Sequence, residues 1–323
     1  MKFRIGVIGA GAHGERYVRH GLNDVPGMAV TALCRRQQEP GRALAAEHCV
    51  RYHREAADLI ADPAVDGVVI CTPPSTHFSL SEQVLAAGKP LLLEKPMTGS
   101  LAEAERLAVL DAAAPQPLML GQSLRWNPVI KNVRELWPRL GTVRLIRLAQ
   151  RLAPTSLGWQ RDLAQTVGGS VLLTGVHIFD LTRWLTGAEF VSVDSRQRQI
   201  HNPVVEDQFL ARAVLTDGCW ASLEVSKHTQ SRACIVEAVG DAGQLRADYL
   251  KGGVQWRSGA EEENFEVSAL VPTLPVVLAD WLDAINNNSP PPVTVQDGLA
   301  TLQVVDACYR SAAAGTEVRI NRA

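Results

Sequence analysis

Apolar and polar positions follow two different rhythms, and the change comes near Gln122. In the first part, short apolar runs alternate with longer stretches of helical composition. Residues 3 to 8 read as a buried strand, followed by Met28 to Cys34, Val50 to Tyr52, Val65 to Cys71, Leu91 to Leu93 and Leu118 to Leu120. Between them, helices are expected from Glu15 onward, over Ala43 to His48, Ala56 to Ile60, Phe78 to Ala87 and Ala102 to Ala113. Ser75 is placed to cap the fourth of these helices and Gly88 to close it. Strands alternating with helices predict a parallel sheet covered on both faces.

Beyond Gln122 the pattern loosens. A helix is expected near Val129 to Trp137, a long strand over Thr142 to Leu152, and a helix over Val171 to Leu185 opened by Gly168-Gly169-Ser170. Phe209, Ala211, Ala213 and Leu215 then alternate with more polar neighbours. Thr216-Asp217-Gly218 turns the chain into a hairpin with Cys219 to Val225. Ala233 to Val239, Gln244 to Tyr249 and Val254 to Trp256 continue the meander. Helices over Val276 to Ile285 and Leu299 to Ala313 and a closing strand over Val318 to Ile320 complete the chain. The expected fold is α/β: a dinucleotide-binding domain over 1–121, then an α+β domain with an antiparallel sheet over 122–323. The final helix is able to pack back on the first domain.

Composition narrows the function. A chain of 323 residues, 46% hydrophobic and 20% charged, suits two globular domains. A formal charge of -2 gives no electrostatic reason to expect nucleic acid or an anionic membrane surface as partner. The six cysteines, Cys34, Cys49, Cys71, Cys219, Cys234 and Cys308, show no C-x-x-C and no cluster with histidine at metal-ligand spacing. They read as free thiols in a reducing compartment, with no metal expected. The first apolar stretch is too short for a signal peptide and no run reaches transmembrane length, so the cytoplasm is the expected location.

Candidate chemistry begins at Gly9-Ala10-Gly11-Ala12-His13-Gly14, a G-x-G-x-x-G between a strand and a helix. Gly9 permits the tight turn, Gly11 lets the backbone approach a pyrophosphate, and Gly14 lets the helix pack closely. The helix N-terminus offers free N–H groups to the phosphates. The second strand ends Cys34-Arg35-Arg36, with no carboxylate for the ribose hydroxyls. Arginine there suits a 2′-phosphate, which favours NADP over NAD. Thr72, Pro73 and His77 follow a strand's carboxyl end and are expected to line the cofactor cleft, although His77 equally suits local packing. Glu94-Lys95-Pro96 ends the fifth strand, where open α/β sheets bind ligands. His177 and Asp180 are three apart on one helix face, so Asp180 can orient His177 as a general acid/base. Arg125, Trp159 and Arg161 are substrate-side candidates that equally suit structural packing.

Together these motifs resemble the Gfo/Idh/MocA oxidoreductases over essentially the whole chain. The resemblance rests on Gly9-x-Gly11-x-x-Gly14, on Thr72-Pro73 with His77, and on Ala87-Gly88-Lys89 leading to Glu94-Lys95-Pro96. It continues through Arg125-Trp126-Asn127-Pro128 and Gly168-Gly169 to Gly175-x-His177-x-x-Asp180. It implies a Rossmann domain, a second domain with a large open, mostly antiparallel sheet, and a homo-oligomer, dimer or tetramer, formed through that sheet. It also implies a Lys95-Pro96 bond that is often cis, Lys95 at the nicotinamide and the substrate oxygen, and His177 exchanging the substrate proton. The implied reaction moves hydride between NAD(P) and a hydroxyl or carbonyl carbon of a sugar, cyclitol or related polyol. A lysine near its reference pKa of about 10.4 is a poor base, but burial beside a cationic ring lowers it. One departure stands out. The family's usual Asp four residues before the histidine falls on Leu173. That loss leaves open a nicotinamide-assisted glycoside hydrolase or a non-enzymatic NAD(P)-binding sensor as alternatives.

Overall fold

Five apolar runs and the short Arg51–His53 strand build the first sheet of the computed structural model, which describes residues 1–269 and 271–320. The elements run β1 (Phe3–Ile8), α1 (Ala12–Asn23), β2 (Met28–Cys34), α2 (Gln38–Glu47), β3 (Arg51–His53) and α3 (Ala56–Ala61). They continue with β4 (Gly67–Ile70), α4 (His77–Ala86), β5 (Leu91–Glu94), α5 (Leu101–Ala113) and β6 (Leu118–Gly121). The strands pair in parallel in the order β3-β2-β1-β4-β5-β6. Strand order reverses between β1 and β4, so a ligand crevice is expected beyond their carboxyl ends. The strands β4, β5 and β6 are buried at every position, which explains their unbroken apolar runs.

Next come α6 (Pro128–Leu136), β7 (Val143–Arg151), α7 (Leu163–Thr166), α8 (Val176–Thr186), β8 (Phe190–Arg198), β9 (Gln208–Leu215) and β10 (Trp220–Ser226). Then follow β11 (Ala233–Gly240), β12 (Gln244–Asp248), β13 (Val254–Ser258), β14 (Glu261–Phe265), α9 (Leu274–Asn286), α10 (Val295–Ala314) and β15 (Val318–Arg319). The second sheet has nine strands in the order β14-β13-β12-β11-β7-β10-β9-β8-β15. The chain divides into two compact units, 1–123 with 272–299 and 124–271 with 300–323. Residues 272–299 thus group with the first unit, whereas the sequence reading draws a single boundary after residue 121. In that unit Trp281 of α9 is fully buried and meets Phe3 of β1 edge-on at 5.9 Å.

The fold class holds, with local differences. The second helix starts five residues earlier than expected, because Pro40 lies in its first turn, where its missing N–H costs nothing. Gly41 is needed there, since a Cβ would come within 2.4 Å of the Tyr52 ring. Ser75 does not cap α4: the chain already turns as a 3₁₀ helix over Pro74–Thr76, so its hydroxyl lies inside the turn. The strands after β9 are not a simple meander. The strand β7 inserts between β10, its parallel partner, and β11, its antiparallel partner. Neither β8 nor β14 was anticipated, as β8 ends in a polar run and β14 reads Glu-Glu-Glu-Asn-Phe.

The helix expected over Val171 to Leu185 is in two parts, a π-helical turn at Val171–Gly175 and then α8. Such wide turns recur at functional sites. Gly175 at the junction lets the backbone lie against Phe179 and Phe209, which a Cβ would meet at 2.9 and 3.1 Å. Phe179 also packs edge-on against Phe190 at 6.1 Å, so one aromatic cluster ties α8 to β8 and β9.

Candidate functional site

The glycine turn is built as its spacing requires. Gly9 has φ +88°, and a Cβ there would lie 2.7 Å from the Cys71 carbonyl carbon. A Cβ on Gly14 would lie 2.3 Å from the Gly9 carbonyl oxygen. Gly11 differs: it caps α1 and a Cβ on it would meet nothing within 4 Å. The first helical bond runs from the Glu15 N–H to the Gly11 carbonyl, so the Ala12, His13 and Gly14 N–H groups stand ahead of the ladder. Open space over Gly11 beside unspent N–H groups fits a dinucleotide pyrophosphate. At the end of β2, Arg35 donates to the Ala10 carbonyl at 3.3 Å and to Gln37 at 3.1 Å, while Arg36 is exposed.

One buried carboxylate joins this turn to the end of β5. Glu94 Oε1 accepts from the Tyr17 hydroxyl at 2.7 Å and lies 2.7 Å from His13 Nε2, and Oε2 accepts from the Lys95 N–H at 3.0 Å. Gly121 makes room for it, since a Cβ there would crowd the carboxylate at 3.3 Å. Burial raises the Glu94 pKa, but His13, Lys95 and Tyr17 outweigh it and hold the group at about 2. Lys95 is half-buried, and burial lowers its pKa against the opposing pull of Glu94. The Lys95-Pro96 bond is cis.

His77 is fully buried, with Nδ1 2.7 Å from the Pro96 carbonyl oxygen and Nε2 2.8 Å from that of Thr72. Burial lowers its pKa, while the two carbonyls and Glu94 work against the shift. With both nitrogens engaged by the main chain, His77 ties the loop after β4 to the loop after β5. It offers no free polar atom to a cofactor, in contrast to the role its position predicts. Thr72 and Pro73 are half-buried beside it.

In the second unit Arg125 and Asp180 find each other. Arg125 Nε and Nη2 donate to Asp180 Oδ2 and Oδ1 at 2.8 and 2.6 Å, with both side chains buried. That bidentate pair commits the guanidinium expected to meet substrate. His177 is half-buried in the first turn of α8. Arg161 lines a cavity of about 50 Å³ together with Ser170, Leu173, Glu206, Asp207 and Lys227. Trp159 is half-buried two residues before Arg161. Tyr17, Ser170, Glu206 and Lys227 escaped the sequence reading. The polar pair Glu206-Asp207 just ahead of a strand was the one available signal.

Two family models match the chain: oxidoreductase family, NAD-binding Rossmann fold, over residues 3–122, and oxidoreductase family, C-terminal alpha/beta domain, over residues 138–320. The chain belongs to the Gfo/Idh/MocA oxidoreductase family. Its relatives include inositol 2-dehydrogenase 1 of Saccharopolyspora erythraea, 28% identical across 100% of this chain and 98% of that protein. The D-apiose dehydrogenase of Paraburkholderia graminis is 28% identical across 99% of this chain and 90% of its own. Among solved structures, GenD2 from gentamicin A biosynthesis in complex with NAD is 27% identical, with TM-score 0.90 over 99% of this chain and 97% of that one. Among the described residues of this Gfo/Idh/MocA protein, no helix is long and apolar enough to cross a membrane, and no three His, Cys, Asp or Glu side chains are grouped to hold a metal ion.

Two predictions follow from this geometry. Gly11→Val leaves the melting temperature nearly unchanged and weakens dinucleotide binding by more than about tenfold, whereas Gly14→Val costs about 3 kcal/mol of stability; thermal melts and calorimetric cofactor titration read both. The folded-state pKa of Glu94 lies below its unfolded value, so its stabilisation is present above about pH 4.5 and is lost as pH falls through about 2. Wild type should therefore exceed Glu94→Gln by on the order of 3 kcal/mol at pH 6 in urea unfolding, with the difference vanishing toward pH 2.

Proposed function

We propose that the chain catalyses reversible hydride transfer between a nicotinamide dinucleotide and a hydroxyl-bearing carbon of a sugar, cyclitol or related polyol. The observation that carries this reading is Lys95: a half-buried amine at the carboxyl end of β5, with a lowered pKa, anchored through its N–H to the carboxylate that also binds α1. The names of the inositol and apiose dehydrogenase relatives support the substrate class. When bound, the nicotinamide accepts or returns the hydride.

The protein handles the proton. Neutral Lys95 takes the hydroxyl proton as the carbonyl forms; in reduction, the ammonium stabilises developing alkoxide charge and gives the proton back. His177 serves as the second proton-handling group. Leu173, four residues before it, supplies no carboxylate, so the main acid/base role falls to Lys95. We assign the adenosine ribose to the region of Arg35 and Arg36. The absence of a carboxylate there and the exposed guanidinium of Arg36 favour NADP.

The outer face of the second sheet is read as the contact with a second copy. Trp220, Leu145 and Val239 are exposed in register across β10, β7 and β11, and Trp220 is 68% exposed. A row of exposed apolar side chains on a broad sheet marks an interaction surface.

Reduced-nicotinamide absorbance over a panel of sugars, inositols and sugar acids tests the enzyme. The oxidation kcat/KM should rise with pH to an inflection below 10.5, and Lys95→Ala should lower kcat by about 10²–10⁴. NADP should be preferred, with the preference reduced in the Arg35→Ala, Arg36→Ala double variant; turnover with NAD alone refutes that assignment. Sedimentation velocity should show an oligomer that Trp220→Arg dissociates.

A further inference from the structure

The cavity in the second unit lies between the loop after β7, the π-helical turn and the segment before β9. Arg161 and Lys227 line it on one side of the charge balance, Glu206 and Asp207 on the other. The wall therefore favours no ion of either sign. Asp207 is occupied: its carboxylate accepts the N–H groups of His201, Asn202 and Ile200 at 2.6, 2.8 and 2.9 Å.

Glu206 is held more loosely. The Val171 N–H at 3.0 Å and the Tyr309 hydroxyl at 2.9 Å both bond to Oε1. Oε2 lies over Gly169, where a Cβ would come within 2.4 Å of it. Burial pushes the Glu206 pKa up, against the Val171 N–H, the Tyr309 hydroxyl and the Lys227 charge. The bonds it makes thus fall short of the water it has lost. Ser170 stands beside it, since the Ser170 N–H donates to the Glu206 carbonyl at 2.8 Å. Ser170 is 1% exposed and lines the cavity, and its buried hydroxyl has no hydrogen-bond partner. A buried hydroxyl in that state calls for a group that arrives from outside.

The chemistry of these two atoms selects the visitor. A carboxylate oxygen accepts and needs a donor, which an acidic ligand does not bring at neutral pH. An ammonium would donate, but Arg161 and Lys227 oppose it. A hydroxyl donates and accepts without charge. We propose that Glu206 is a substrate-facing carboxylate, and that its Oε2 and the Ser170 hydroxyl take two neighbouring hydroxyls of a neutral sugar or polyol. This rests on the dehydrogenase reading above and narrows its substrate class. Leu173 lines the same wall without a polar atom, so the carboxylate comes from the segment before β9 and not from the helix that carries His177.

Steady-state kinetics on the best substrate of the panel, its monodeoxy series and its uronate, aldonate and phosphate counterparts tests this. In wild type, removal of one hydroxyl should lower kcat/KM by at least about tenfold, the effect of one hydrogen bond to a charged group. Glu206→Gln keeps a carbonyl oxygen for Val171 and Tyr309, so it should fold. It should bring that one penalty toward one and leave the other deoxy penalties as they are. Ser170→Ala, which removes an unpaired hydroxyl, should shrink the penalty at the neighbouring position several-fold, and it carries the comparison if Glu206→Gln does not fold. Deoxy penalties unchanged in the variants overturn the proposal, as does preference for an acidic or phosphorylated counterpart. If nothing in the panel turns over, the dehydrogenase reading fails on its own. Thermal melts with myo-inositol and xylitol then decide the cavity separately. Stabilisation of wild type but not of Glu206→Gln or Ser170→Ala supports it, and equal shifts or none overturn it.

Discussion

The buried Glu94 carboxylate organises the dinucleotide side of the first unit. The Glu94 carboxylate draws the Tyr17 hydroxyl, the His13 ring and the Lys95 N–H to one point. Leaving such a charge unpaired in the interior would be costly, so its partners are held where they stand. Two of them, His13 and Tyr17, belong to the helix whose N-terminus faces the dinucleotide turn. The third begins the loop that carries the Lys95 amine. The same carboxylate thus sets the relation between glycine turn and lysine, and its field opposes the fall in the Lys95 pKa that burial causes. Gly121 is part of this arrangement because a Cβ there would press on the carboxylate at 3.3 Å.

The second unit uses buried charge differently. Arg125 and Asp180 neutralise each other in a bidentate pair with almost no exposure. Neither group has charge to spare for a substrate. A pair of this kind is weak evidence of stability, but removing one partner would strand the other. It fastens the segment before α6 to α8, the helix that carries His177.

Family membership settles the fold and the reaction class, and it stops short of the substrate. Relatives 28% identical across nearly the full chain include proteins named for inositol and for apiose. The same scaffold serves both, because specificity is decided by groups at the cavity wall. In this chain a cavity of the second unit is lined by Leu173 and by Ser170, whose buried hydroxyl has no hydrogen-bond partner.

Much of this was legible in the sequence. The alternating strands and helices of the first unit, the glycine turn and the placement of Lys95 after a buried strand are written in patterns a few residues long. Glycine at Gly9 and Gly14 answers to backbone and steric demands that any local reading detects. Other features depend on partners far away in the chain. The insertion of β7 between β10 and β11 is a choice of strand neighbours that periodicity does not encode. The pairing of Arg125 with a carboxylate 55 residues on, instead of with a substrate, is another such choice. His77 looked like a cofactor contact until burial placed both its nitrogens against carbonyl oxygens. The cavity, drawn from residues on either side of α8 and from the loops flanking β9 and β10, exists only once the sheet is assembled. The sequence by itself determined which elements form and where the dinucleotide turn lies, because those follow from short-range sterics and burial. Only the tertiary structure decided which charges are spent on one another and which remain for a ligand, because that depends on distances the linear order does not contain.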